Sequence, residues 1–306
     1  MPAASGPPSR RTRALRLGGV AAATGLVGLA FQLGVFSLQA ARQVVFPART
    51  LHERTPAQVG LPYESVSFPS SDGLMLSGWF LKGSPATVLL THGHGSNKGQ
   101  LLDTAEFLHR QAGYSVLMFD FRASGESEGE QSTLGFHEAK DIAGALHYLR
   151  QRPELDSTRT GALGVSMGAA ALLMLGADGR RFAGIVADSA FSNGDALVGR
   201  LDRWFNLPRW PFSVTVPLAV QYYSGLAPRD VAPLDHVGKL APTPLLVIHG
   251  ELDRGIPAED ARAIFAAAGG SKDLWMVEGA GHGQGIVIAR SEYIERVLAF
   301  FAKTLR

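Results

Sequence analysis

The chain has 306 residues, 46% hydrophobic and 18% charged, enough for one large domain with a buried core and an appendage. Four arginines, Arg10, Arg11, Arg13 and Arg16, stand in the first 16 residues, which hold no acid, so an overall charge of +2 leaves a body of net −2. That body gives no footing for nucleic-acid binding, which needs a basic face, and the lack of cysteine excludes disulfides and thiol chemistry.

Residues 1–16 read as a basic tail, rich at first in Pro, Ser and Arg. The next 25 residues, Leu17 to Ala41, carry no charge. A helix of about 20 apolar residues crosses a bilayer core, so 17–41 reads as a membrane anchor. A cleaved signal peptide is the alternative. Its apolar region would be about 7–15 residues long and end at a small-residue site. This run is longer, and no clear A-x-A pattern closes it. Four arginines before the span, against Arg42 and Arg49 after it, place the N-terminus in the cytoplasm and the body outside. The expected location is therefore membrane-anchored and extracytoplasmic, or secreted if the segment is cleaved. Residues 42–62 read as a linker.

The domain proper is expected over 63–306. Two strands, "YESVSFP" and "LMLSGWFLK", flank the turn "SSDG". Strands and helices then alternate. The strands are "ATVLLT", "YSVLMFDF", "RTGALGV", "FAGIVAD", "TPLLVIH" and "DLWMVE". The helices include "NKGQLLDTAEFLHRQAG", "TLGFHEAKDIAGALHYLRQR", the run from Met167, "AEDARAIFAAA" and Arg290 to Leu305. Continuous apolar strands between helices predict a mostly parallel, eight-stranded α/β sheet covered on both faces. Residues 191–240 break the alternation and read as a short helical cap. Its aromatics either join the cap to the body or line an acyl pocket, and Trp204, Phe205, Trp210 and Tyr222 are the pocket candidates.

Two stretches match G-x-S-x-G, "GVSMG" at Ser166 and "GESEG" at Ser127. A nucleophile elbow needs a strand directly before the serine and a helix directly after it, so that the hydroxyl stands at the helix N-terminus. Ser166 has both. Ser127 lies between Glu126 and Glu128, whose charges would oppose a developing oxyanion, and no helix follows it at once. The elbow is therefore assigned to Ser166.

A serine needs a base, and the base an orienting acid. On a sheet of this kind the order is Ser, acid, His. "HGELDRGIP" puts Asp253 after the next-to-last strand, and "GAGH" puts His282 after the last. Loops at the carboxyl ends of parallel strands gather over the sheet, so the three can meet. Asp188 is the alternative acid, and His249 reads as structural. The oxyanion donors are expected to be the N–H groups of Met167 and of His94 in "HGHGSN". The pair His92-x-His94 lacks the neighbouring acids and histidines of a metal site.

Together these motifs resemble the α/β-hydrolase fold superfamily over Tyr63 to Arg306. "HGHGSN", "DFRASGES", "GVSMG", "HGELDRGIP" and "GAGH" occur in its order. Within it the chain looks like membrane-anchored serine hydrolases near the Bem46 and FrsA-like groups. The resemblance implies an esterase, thioesterase, lipase or peptidase, with a structural role for Asp120 and Arg122. One departure is His94 in the oxyanion position, which varies among relatives. The reading is a serine hydrolase acting on a small acyl ester or thioester, without cofactor or metal, with the membrane as partner through its N-terminal helix. An aminopeptidase would need carboxylates to bind a free amine, with Asp195, Asp202, Asp230 and Asp235 in the cap available. A non-catalytic binding module of the same fold is the other alternative.

Overall fold

The computed structural model describes residues 10–52, 54–201 and 205–306. Eight strands form one sheet: β1 Glu64–Pro69, β2 Met75–Leu81, β3 Ser84–Thr91, β4 Tyr114–Phe119, β5 Thr160–Val165, β6 Gly184–Asp188, β7 Leu245–Gly250 and β8 Lys272–Val277. Their spatial order is β1-β2-β4-β3-β5-β6-β7-β8. β1 and β2 pair antiparallel, β2 runs antiparallel to β4, and all later neighbours are parallel.

Side chains alternate between the faces of a strand, which explains the unbroken apolar runs. Leu117 and Phe119 of β4, Ala162 of β5 and Leu245 and Val247 of β7 enter the core on one face. Val116 and Met118, Leu163 and Val165, and Leu246 and Ile248 enter the core on the other. The helices are α1 Arg10–Val45, α2 Leu102–Ala112, α3 Glu138–Arg150, α4 Met167–Met174, α5 Gly194–Val198, α6 Arg209–Ser224, α7 Pro233–Val237, α8 Ala258–Ala267, α9 Gly285–Ile288 and α10 Arg290–Thr304. Ile142, Ala145 and Leu146 of α3, with α4 and α8, close the first face. Ala105 and Leu108 of α2 and Tyr293, Val297 and Phe301 of α10 close the second.

A third cluster lies over the carboxyl ends of the strands. Ala40, Ala41, Val44 and Val45 at the end of α1 pack with Phe212, Val216 and Val220 of α6 and with Leu197, Leu201 and Phe191. Hydrogen bonds fix the contact. The Ser132 N–H donates to the Val45 carbonyl at 2.8 Å, and the Ser37 hydroxyl donates to Thr215 Oγ1 at 2.7 Å. Residues 46–52, read above as linker, are bonded to the body. The Arg49 guanidinium donates to the carbonyls of Gly125, Ser127 and Gly129, and Asn97 Nδ2 donates to the Thr50 carbonyl. Ala21–Val45 is long and apolar enough to cross a membrane. The first nine residues of the basic tail lie outside the described residues.

Candidate active site

The turn from β5 to α4 sets Ser166 at φ 55°, ψ −117°, a conformation that costs a non-glycine residue energy. Neighbouring chain holds it there. The Ser166 N–H donates to the Asp188 carbonyl at 2.8 Å, and the Ser166 carbonyl accepts from the Ala170 N–H at 2.9 Å. The hydroxyl is left facing the loop after β8, where His282 Nε2 lies 2.9 Å from Ser166 Oγ. On the far side of the ring, His282 Nδ1 lies 2.6 Å from Asp253 Oδ2.

Asp253 comes from the loop after β7. Its other oxygen accepts the N–H groups of Gly255 at 2.9 Å and Ile256 at 2.8 Å. Burial pushes the carboxyl up, but the bond to His282, its charge and the Ile256 N–H outweigh it and hold the group below the usual value. An ionised carboxylate on Nδ1 keeps a proton on that nitrogen and leaves Nε2 free to accept one from the serine.

The alternative acid is otherwise engaged. Asp188 accepts hydrogen bonds from Ser189 Oγ at 2.8 Å and from the Tyr293 hydroxyl at 3.0 Å, and burial raises its carboxyl. Ser189 Oγ also accepts the Gly283 N–H at 3.1 Å, which ties the histidine loop to the end of β6. Sequence reasoning missed this support. Tyr293 sits in an ordinary amphipathic helix and carries no local signal of it. His249 is buried, with Nε2 donating to the Ile256 carbonyl at 2.8 Å.

Ser127 is buried, and its hydroxyl is used by structure. It donates to the Asp120 carbonyl at 2.5 Å and accepts the Ser77 N–H at 2.9 Å. Below it, Lys98 Nζ binds Asp120 Oδ2 at 2.6 Å and Glu126 Oε2 at 2.7 Å, and Arg122 pairs with Asp141 and Asp72. The Lys98 pairs lock the loop after β3 to the loop after β4, and the Arg122 pairs tie the latter to α3 and to the turn between β1 and β2.

The loop "HGHGSN" is held the same way. The Gly93 N–H donates to Gln100 Oε1 at 2.7 Å. His92 accepts the Phe121 N–H on Nε2 at 3.0 Å and donates from Nδ1 to the Gly93 carbonyl at 2.7 Å. His94 Nε2 donates to the Val44 carbonyl of α1 at 2.7 Å. Burial lowers the imidazole of His94, and its bond to the Val44 carbonyl only partly opposes that shift.

A cavity of about 780 Å³ opens over Ser166, within the range of small-molecule sites. Ser166, Met167, His94 and His282 lie on its floor, and the first N–H groups of α4 have no acceptor within the helix. Val44, Leu134, Phe191, Leu201, Phe205 and Ile256 give it an apolar wall. No Asp or Glu lines it among the described residues. Of the four pocket candidates, Phe205 is in the wall. Trp210 and Tyr222 are not, because they lie on the outer face of α6, and Trp204 lies outside the described residues. The residues not foreseen are those of α1 and its exit, Arg42 to Thr50, which form the cavity rim.

The profile of the prolyl oligopeptidase family matches residues 102–306, the greater part of the chain. The chain belongs to the prolyl oligopeptidase family. It is 30% identical over 241 residues to the uncharacterized protein YfhR of Salmonella typhi, covering 73% of this chain and 74% of that one. It is 29% identical over 244 residues to the uncharacterized protein YqkD of Bacillus subtilis, covering 76% and 77%. Among solved structures, the esterase Pf2001 of Pyrococcus furiosus superposes with a TM-score of 0.72 at 28% identity, over 85% of this chain and all of that one. An acylaminoacyl peptidase of Pyrococcus horikoshii superposes at 0.63 with 19% identity, over 82% of this chain and 44% of that one, a likeness of fold. Family and neighbours put the protein among the hydrolases of the α/β-hydrolase superfamily.

Proposed function

We propose that the protein is a membrane-anchored serine hydrolase that cleaves a carboxylic ester or thioester through an acyl-enzyme on Ser166. The observation that carries this reading is the hydrogen-bonded chain Ser166–His282–Asp253 opening onto a cavity with an apolar wall, lined by no carboxylate among the described residues. Ser166 Oγ attacks the acyl carbonyl carbon as His282 Nε2 takes its proton. The Met167 and His94 N–H groups receive the negative oxygen. The bond to the alkoxide or thiolate breaks, and His282 gives that group its proton. Water then attacks the acyl-enzyme, with His282 again first base and then acid. Asp253 keeps the ring oriented throughout.

An aminopeptidase-like reading needs an acid beside the scissile bond. Asp195, Asp230 and Asp235 are exposed on the cap and do not line the cavity, and Asp202 lies outside the described residues. The wall of apolar side chains suits an acyl chain better than a charged amine. The domain limits adopted are a hydrolase domain over 63–306 with a cap over 191–240. We read α1 as a retained anchor rather than a cleaved signal, because its last turns are buried in the body and one of its carbonyls holds His94. The positive-inside rule puts the body outside the cytoplasm.

The test uses the full chain and Ser166→Ala. A fluorophosphonate probe is expected to label the parent and not the variant. On p-nitrophenyl esters from acetyl to palmitoyl, the variant is expected to lose about a thousandfold or more in kcat/KM. Equal labelling of both proteins would overturn the assignment of Ser166. A folded parent that neither labels nor hydrolyses would favour the binding-module reading. Turnover of peptide amides above esters would favour the peptidase.

A further inference from the structure

The outer face of α6 is apolar where a water-facing helix should be polar. Val214, Leu218 and Tyr222 recur at every fourth residue and are 55%, 61% and 77% exposed, and Trp210 at their head is 78% exposed. The opposite side, Phe212, Val216 and Val220, is already buried in the cap. Nothing in the acyl-transfer chemistry uses the outer stripe.

Its position relative to α1 gives the occupant. Ser37 meets Thr215, and the ring of Phe46 packs edge-on against Tyr223 at 5.7 Å. Eight or nine residues separate the partners on each helix, so α6 runs parallel to α1 and beside it. The uncharged run begins at Leu17. At about 1.5 Å per residue, a hydrocarbon core of about 30 Å is used up near Ser37. The start of α6, Trp210 to Val214, is on the bilayer side of that level. Leu218 and Tyr222 are beyond it, at the depth where tyrosine and tryptophan favour the headgroup layer. On α1 beside it, Leu29, Phe31 and Phe36 are exposed as well. The cavity rim at Arg42, Gln43 and Phe46 stands only a few residues past the same level.

We propose that the outer face of α6 is a bilayer-docking surface, which together with α1 holds the cavity mouth at the headgroup layer, so that the site takes its acyl ester from the leaflet. The substrate class is then a membrane amphiphile whose acyl chain enters the apolar wall while its ester reaches Ser166. This rests on the reading of α1 as an anchor and of Ser166 as nucleophile, and the test separates the three.

The chain has no cysteine, so single cysteines can be introduced cleanly. Val214→Cys, Leu218→Cys, Leu26→Cys and Ser157→Cys would each be made in the full chain. Each would be labelled with a polarity-sensitive fluorophore and reconstituted in phosphatidylcholine/phosphatidylglycerol vesicles. Leu26 reports the anchor, and Ser157 is exposed in the loop before β5, at the amino end of the parallel strands and away from the site. Labels at 214 and 218 are expected to emit to the blue and to be quenched by nitroxide-bearing lipid, as at 26, while 157 stays in water. Quenching at 26 alone overturns docking by α6 and leaves the anchor standing. No quenching at 26 overturns the anchor and this proposal with it. Blue emission at 214 and 218 without lipid quenching would mean that a second copy covers the stripe, which also overturns the proposal.

The route to the site is read from the double variant Val214→Glu/Leu218→Glu. It is expected to keep the fluorophosphonate labelling and the hydrolysis of a short soluble ester. Its hydrolysis of a long-chain ester embedded in the vesicles should fall about tenfold or more. Equal loss on both substrates, or no loss on either, overturns delivery from the leaflet. Parent activity that survives Ser166→Ala would sink the nucleophile assignment instead, whatever the labels report.

Discussion

Substituting Gly164 tests whether the β5–α4 turn positions the reactive hydroxyl. An alanine Cβ there would lie 2.5 Å from Thr91 Oγ1, 2.6 Å from the Ala169 nitrogen and 2.6 Å from the Gly168 carbonyl carbon. Real Cβ atoms essentially never come within 3.0 Å of such neighbours, so α4 and β5 must part by about 0.4 Å at least. Two of the three obstacles are backbone, so no side-chain rotation relieves them. Ser166 sits in the turn between the parting elements, 2.9 Å from His282. A misplacement of about 1 Å can cost about a hundredfold, so Gly164→Ala should lose about tenfold in kcat/KM. The same overpacking should cost about 1–3 kcal/mol of stability. Gly113→Ala is the control. Gly113 closes α2 at φ 69°, with nothing within 4 Å of an added Cβ. It should lose about 1–2 kcal/mol to backbone strain and keep full activity. Urea melts and p-nitrophenyl butyrate kinetics on the two variants would decide. Wild-type kcat/KM in a properly destabilised Gly164→Ala would refute the argument that this turn aims the serine.

Three further outcomes follow from the same contacts. Ser127→Ala should leave kcat/KM unchanged and cost about 1–2 kcal/mol in a thermal melt, because it strands the Ser77 N–H that the hydroxyl now satisfies. Asp253→Asn should keep the fold but lose about ten-thousandfold in kcat, since an amide favours the wrong imidazole tautomer. Its pH dependence has a definite sign. The Asp253 carboxyl is held below its ordinary 3.8, so the stability from its charge is present above that value and lost as pH falls through the lower folded one. The Tm difference between parent and Asp253→Asn should therefore hold above about pH 5 and close in stronger acid. Lys98→Met should cost about 3–5 kcal/mol by urea denaturation, because it leaves the fully buried Asp120 without its cation.

Much of this architecture was legible because parallel strands buried on both faces are written as short apolar blocks. β4, β5, β6 and β7 fall within a residue or two of the blocks that name them. Ser166, Asp253 and His282 were legible as candidates for a related reason, since Ser166 directly follows such a block, the other two lie in the loops that leave β7 and β8, and strand ends converge. The end of α1 was not legible as a cavity wall. Ala, Val and Phe are chosen for lipid and for protein interior alike, so composition does not mark where one solvent gives way to the other. The cap aromatics misled in a similar way. A tryptophan says that apolar surface is buried somewhere, not on which side of a helix. In α6 the non-helical backbone at Trp210 and the internal Pro217 blur the period that would have told Phe212 from Tyr222. Lys98 reads as a solvated charge at a helix start, yet it is buried, because its partners Asp120 and Glu126 come from a loop more than twenty residues on.

The two serines in the same pattern show what makes a hydroxyl reactive. Around Ser127 the chain spends both capacities of the oxygen on neighbouring strands, donating to one carbonyl and accepting one N–H. A proton held by a carbonyl is not positioned to pass to a base, and no imidazole faces this buried hydroxyl among the described residues. At Ser166 the backbone N–H and C=O are satisfied by Asp188 and Ala170, so the turn is stable without help from the side chain. Among the described residues the hydroxyl then faces His282 Nε2. The positive φ is the energetic cost of that freedom, since it turns the side chain out of the sheet and into the cavity. The same logic extends outward to α1. Its Val44 carbonyl takes the Nε2 proton of His94, which leaves the His94 backbone N–H as the group the loop can offer to an oxyanion. A helix with the length and composition to cross a membrane thus also holds the residue proposed as an oxyanion donor.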